Sequence, residues 1–138
     1  MAATELTSVV TGIRLTLHVL AATIWVGGQY VMVGLLPTAR SLGSDAAKRL
    51  AGAFGRLSWP AFWVLIATGI WNVIAVQGHK PSAAWSAVLG IKMVLVALAG
   101  LGAFLHGRAT TKRGLAIWGS VAGLGSTAAL ILGVFLVG

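Results

Sequence analysis

Val9-Val-Thr-Gly-Ile-Arg14-Leu-Thr-Leu-His18-Val-Leu-Ala-Ala-Thr-Ile-Trp25-Val-Gly-Gly28-Gln-Tyr30-Val-Met32-Val-Gly-Leu-Leu36 is an unbroken run in which Arg14 is the single charged residue. A helix rises about 1.5 Å per residue and bilayer hydrocarbon is about 30 Å thick, so about 20 apolar residues suffice to cross it. Residues 9–36 therefore predict a transmembrane helix that stops at Pro37. Three further runs of the same character follow at residues 57–76, 85–105 and 115–137.

Composition agrees with that reading. Hydrophobic residues make up 58% of the 138-residue chain and charged residues 9%, against about a quarter charged in soluble domains. So few charges could not wet a soluble surface. The expectation is one all-α domain over residues 1–138, an integral membrane four-helix bundle running up-down-up-down. Between the first two spans, Ser44-Asp45-Ala-Ala-Lys48-Arg49-Leu50-Ala-Gly-Ala-Phe54 predicts a short amphipathic helix on the membrane surface, capped by Ser44 or Asp45, with Leu50 and Phe54 turned inward. The start, Met1-Ala-Ala-Thr-Glu5-Leu6, lacks the basic region of a secretory signal, so the first span is expected to be retained.

The net charge of +8 comes from ten Lys and Arg against Glu5 and Asp45. Arg40, Lys48, Arg49 and Arg56 lie in the first connection and Arg108, Lys112 and Arg113 in the third, while the second holds only Lys80. The positive-inside bias predicts a cell (inner, cytoplasmic) membrane protein with these two connections in the cytoplasm and both termini outside. Trp59 and Trp118 then fall near the inner boundary, Trp71 and Trp85 near the outer one. The basic residues read as contacts to membrane lipid. No basic stripe is interleaved with stacking aromatics, so nucleic acid is not an expected partner. Glycine-rich faces such as Gly119 with Gly123 permit close helix approach and a homo-oligomer.

Ionisable groups inside hydrocarbon are costly and mark function by default. Arg14 and His18 are four apart, His18 and Trp25 seven, Trp25 and Met32 seven, so all four share one helical face. Trp85, Lys92, Ala99 and His106 recur every seven residues on a second face. His18, Lys92, Thr68 and Asn72 fall at matching depths, which predicts an outer-half polar cluster of Arg14, His18, Thr68, Asn72 and Lys92. Each has a plainer reading: Arg14 and Lys92 snorkelling, His18 and Trp25 packing, Thr68 and Asn72 as interhelical glue. His106 lies at the inner end, too deep to share an ion with His18, and suits a helix C-terminus. His79 sits in the outer loop.

Several chemistries are excluded. With no cysteine there is no disulfide, thiolate metal site or Cys-ligated cluster. With no carboxylate inside a span, a paired-carboxylate hydrolase is out and a proton pump is weakened. No phosphate loop or Ser/His/Asp set is present.

His18-Val-Leu-Ala-Ala-Thr-Ile-Trp25-Val-Gly27-Gly28 followed by Pro37, then Phe54, Trp59, Thr68-Gly69 and Leu89-Gly-Ile-Lys92, resembles the copper resistance D (CopD-like) membrane family. The outline of a histidine in span one and a lysine in span three is also similar to the HemJ-type protoporphyrinogen oxidases, four-helix membrane proteins that bind haem b. The resemblance covers about 100 residues, in short and mostly apolar motifs. It implies His18 as an axial haem ligand and Lys92 as an essential partner. Where HemJ-type proteins carry an Arg-rich stretch after the first span, this chain has Gln29 to Pro37.

Haem b fits the residues too: it needs a neutral imidazole, a flat apolar slot and cations for two propionates. His18 is then the metal ligand, with Arg14, Lys92, Trp25, Asn72 and Thr68 binding the cofactor. Met93 or His79 is the candidate second axial ligand. With neither, the iron is open to O₂ or NO, and a haem-dependent oxidoreductase with an electron donor of unidentified kind becomes the expectation. The alternatives are copper transport or resistance, disfavoured by the absence of Cys and by only three Met, and a cofactor-free accessory membrane subunit.

Overall fold

A computed structural model describes residues 5–137 and contains no strand among them. Four helices are long and apolar enough to cross a membrane: α1 (Val9–Ser41), α2 (Ser44–Val76), α3 (Ala83–Arg108) and α4 (Lys112–Val137). The protein is thus all-α and multi-pass, with the helix set of a four-helix membrane bundle. Its outward surface is hydrocarbon-like. Val33 is 69% exposed, Leu124 72% and Phe135 74%, an apolar exposure that water would not tolerate and lipid covers without cost.

Local chemistry sets the helix ends. Ser8 Oγ accepts from the Thr11 N–H at 3.3 Å, Ser82 Oγ from the Trp85 N–H at 3.1 Å, and Thr111 Oγ1 from the Gly114 N–H at 3.0 Å. Each satisfies an N–H that the first turn leaves without a partner. After α1 the chain turns at Gly43, whose φ of +128° suits only glycine.

Two expectations about boundaries change. α1 does not stop at Pro37 but continues through it to Ser41. The stretch from Ser44 is helical, but it is no separate surface helix. It runs without a break into the second span as one 33-residue helix with Pro60 inside it. The reason is common to both. A proline forfeits one backbone hydrogen bond, whereas ending a helix near hydrocarbon would leave several backbone groups unsatisfied.

The chain divides into two compact units, Met1–His79 and Lys80–Gly138, each a helical hairpin. In the first, the 4% exposed Trp25 packs on Phe62 at 4.6 Å and edge-on to Trp59 at 5.5 Å, between ring centroids. Trp59, expected as a boundary anchor, is therefore part of this aromatic cluster. Gly28 admits Phe54 so closely that a Cβ there would run into the ring.

Within α1, Thr23–Gly27 forms a π turn. Thr23 Oγ1 donates to the Val19 carbonyl at 2.9 Å, and Gln29 Nε2 donates to the Trp25 carbonyl at 3.0 Å. Polar side chains thus bond one carbonyl before the irregular turn and one within it, as hydrocarbon requires. A π turn carries an extra residue. It therefore interrupts the seven-residue ladder that joined His18, Trp25 and Met32 on an ideal helix.

In the second hairpin small residues bring backbones together. Ala99, Gly100 and Gly102 of α3 and Ala122, Gly125 and Ala129 of α4 are all buried. A Cβ on Gly102 would stand 2.8 Å from the Ala122 backbone N and 3.1 Å from the Trp118 carbonyl. This is the close approach that small residues permit in membranes.

Candidate functional site

His18 is half-buried on α1, and its Nδ1 lies 2.7 Å from Thr68 Oγ1 on α2. The direction of that bond follows from the hydroxyl's other contact. Thr68 Oγ1 is 2.7 Å from the Val64 carbonyl, one turn back in its own helix, and 3.3 Å from the Leu65 carbonyl. A carbonyl only accepts, and the hydroxyl has one proton to give. With that proton on Val64, Thr68 accepts from the His18 Nδ1–H. In the neutral ring the lone pair then resides on Nε2. Thr68 is 5% exposed, so water does not compete strongly for the bond.

Gly69, the next residue, makes room for the ring: a Cβ there would lie 3.7 Å from His18 Cε1, in ordinary contact. A larger side chain at this position would press on the imidazole edge.

Arg14 lies one turn before His18, and Asn72 one turn after Thr68. In an antiparallel hairpin those offsets bring them to the same level. Both carry an unmet atom. Arg14 is 9% exposed with its Nε lacking any hydrogen-bond partner among the described residues, and Asn72 Oδ1 is likewise buried and unpartnered. Each such group costs about 1–3 kcal/mol, and a native structure that keeps them calls for an explanation. The level of His18 is thus flanked by an orphan donor and an orphan acceptor.

No family model, curated protein or solved structure matches the chain. The functional reading rests on the geometry of the residues themselves.

In the second hairpin each member of the other heptad face meets α4. Trp85 Nε1 donates to the Leu136 carbonyl at 3.2 Å. Lys92 Nζ occupies the space over Gly133, where a Cβ would stand 2.9 Å from it. Ala99 packs on Gly125, and His106 lies over Gly119. The His106 Nδ1–H donates to the Leu115 carbonyl at 2.9 Å. His106 is therefore a clasp between α3 and α4. His106→Ala is expected to lower thermal stability by about 1 kcal/mol, the worth of one hydrogen bond, and to leave any cofactor in place. Melting and absorption of the purified variant check both; cofactor loss from a folded variant would contradict it.

Trp25 is committed to the aromatic cluster, Met93 is 59% exposed, and His79 is exposed in the turn Gln77–His79. Among the described residues no three His, Cys, Asp or Glu side chains come close enough together to hold an ion. Sequence reasoning missed the glycines that seat His18, Lys92 and His106, and the π turn. Glycines at matching depth on the facing helix were the available signal.

Proposed function

We propose that the first hairpin binds haem b through His18, and that the protein is a membrane haem protein of the HemJ-like kind. The observation that carries this reading is the chain His18 Nδ1–H to Thr68 Oγ1 to the Val64 carbonyl. A metal-binding histidine characteristically gives its other ring N–H to such a partner, which sets tautomer and orientation. Here the hydroxyl is itself held by a helix carbonyl, so the imidazole is pre-oriented with its lone pair on Nε2.

Two further observations support haem over a bare metal ion. A copper or zinc site needs several protein ligands together, whereas haem brings four nitrogens of its own and asks for one imidazole. The unmet Arg14 Nε–H suits a propionate carboxylate, which would satisfy the donor and balance its charge in hydrocarbon. Bound haem would supply one-electron iron chemistry and, with an open axial position, binding of O₂ or NO. His18 would hold the haem, Thr68 would orient the His18 ring and Arg14 would hold a propionate. His79, in the same unit as His18, would be the candidate for a second ligand.

The test is protein purified in detergent from cells supplied with a haem precursor. A Soret band and stoichiometric haem b are expected. Colourless protein would reject the proposal.

The reading includes an orientation: inner membrane, both termini outside, with the Arg40–Arg56 and Arg108–Arg113 segments in the cytoplasm. Cysteines placed singly at Ser82 and Ser44 are expected to label from outside and only after permeabilisation, respectively. Labelling of Ser44→Cys from outside alone would invert the topology.

A further inference from the structure

α2 is 33 residues long, an axial rise of about 50 Å against about 30 Å of hydrocarbon. One end of it must overhang the apolar layer. All its charged residues, Asp45, Lys48, Arg49 and Arg56, lie between Ser44 and Arg56, so the overhang is the N-terminal end.

That end carries an open cavity of about 660 Å³ along one side of the helix, lined by Ala46, Arg49, Leu50, Gly52, Ala53 and Arg56. Arg49 and Arg56 are seven residues apart, two turns on one face, separated by about 10 Å along the axis. Leu50 and Ala53 form an apolar floor between them. Gly52 keeps the cavity open, since nothing lies within 4 Å of where its Cβ would be. No acidic side chain lines the space.

The floor does not end at Arg56. Ala46, Leu50, Ala53, Leu57, Pro60 and Val64 follow the three- and four-residue spacing of one helical face. Leu57 is 58% and Val64 41% exposed, so this stripe leads from the cations towards the hydrocarbon.

We propose that this cavity is a binding site for an anionic phospholipid, its phosphate diester held by Arg49 and Arg56 and its acyl chains laid along Leu57 and Val64. Guanidinium groups bind phosphate in a forked geometry that a diffuse surface charge does not supply. A soluble phosphate would use the two cations and leave the apolar floor bare. A lipid uses both, which is why the occupant is the lipid. The inference is independent of haem.

The test uses the full chain in phosphatidylcholine nanodiscs, titrated with dioleoylphosphatidylglycerol. Native mass spectrometry counts bound lipid and thermal unfolding reports stabilisation. The wild type is expected to retain the anionic lipid and to melt higher with it. Arg49→Gln and Arg56→Gln singly are expected to weaken retention about tenfold or more, each being one charge-assisted contact. Lys48→Gln with Arg113→Gln, a charge change outside the cavity, is expected to leave retention unchanged. Equal loss in that control pair would reduce the effect to general surface charge and overturn the proposal. Inorganic phosphate or glycerol phosphate competing at the same concentration as the lipid would also overturn it, by showing a free-phosphate site.

Discussion

His18→Ala is expected to abolish stoichiometric haem b binding while leaving helicity unchanged. The axial bond is the main anchor of a non-covalent haem, and no other histidine of the first hairpin is packed against its partner helix as His18 is against Thr68 and Gly69. Lesser effects should rank below it. Arg14→Ala removes one charge-assisted contact of about 1.5–3 kcal/mol, a roughly 10- to 150-fold weakening. Thr68→Val keeps the volume and deletes the acceptor, so the ring loses its orientation. It should weaken haem or shift its spectrum without emptying the site, since loss of the partner that orients a metal-binding imidazole typically costs about 10- to 100-fold in metal affinity. Absorption and haem content of detergent-purified variants with matched circular dichroism would rank the three. A His18→Ala protein with full haem would place the ligand elsewhere, and His79 would be the first residue to change. A haem-free wild type would leave the copper and accessory readings, which metal analysis separates.

Gly102→Val is expected to be the most damaging single change in the second hairpin. A Cβ at Gly102 would stand 2.8 Å from a backbone nitrogen, 2.9 Å from Val121 Cγ1 and 3.1 Å from a backbone carbonyl. Two of those three neighbours are main chain, so no flexible end can move aside and the helices must part. Overpacking of this kind costs about 1–3 kcal/mol or more, and valine's branched carbons enlarge the collision. Gly90→Val is the matched control, because nothing lies within 4 Å of that position. Thermal unfolding in detergent should show a clear drop for Gly102→Val and little change for Gly90→Val. Equal melting would mean that α3 and α4 are not seated at this glycine.

The four spans were legible because hydrocarbon demands long apolar runs, which composition alone reveals. Helix ends were less so. Pro37 read as a stop, yet Ser41 is the end, since the cost of unsatisfied backbone in an apolar medium outweighs one lost bond. The spacing of Trp85, Lys92, Ala99 and His106 correctly marked a common face. What that face meets, Leu136, Gly133, Gly125 and Gly119, could not be read from its own helix. The pairing of His18 with Thr68 was legible as a shared depth, although the hydroxyl's second bond to Val64, which decides the tautomer, was not. The π turn was hidden as well, because it depends on Thr23 and Gln29 reaching particular carbonyls.

The glycines that receive side chains carry a consequence for descent. Gly28 with Phe54 and Gly119 with His106 are each one position emptied to house a ring. Selection cannot act on either partner alone: a side chain arriving at the glycine collides, and a shortened partner leaves a void. Across related sequences each pair should therefore change together or stay fixed together. Lineages that abandon Phe54 should be the ones free to fill position 28, so a covarying column opposite a glycine would point to the residue that the glycine serves.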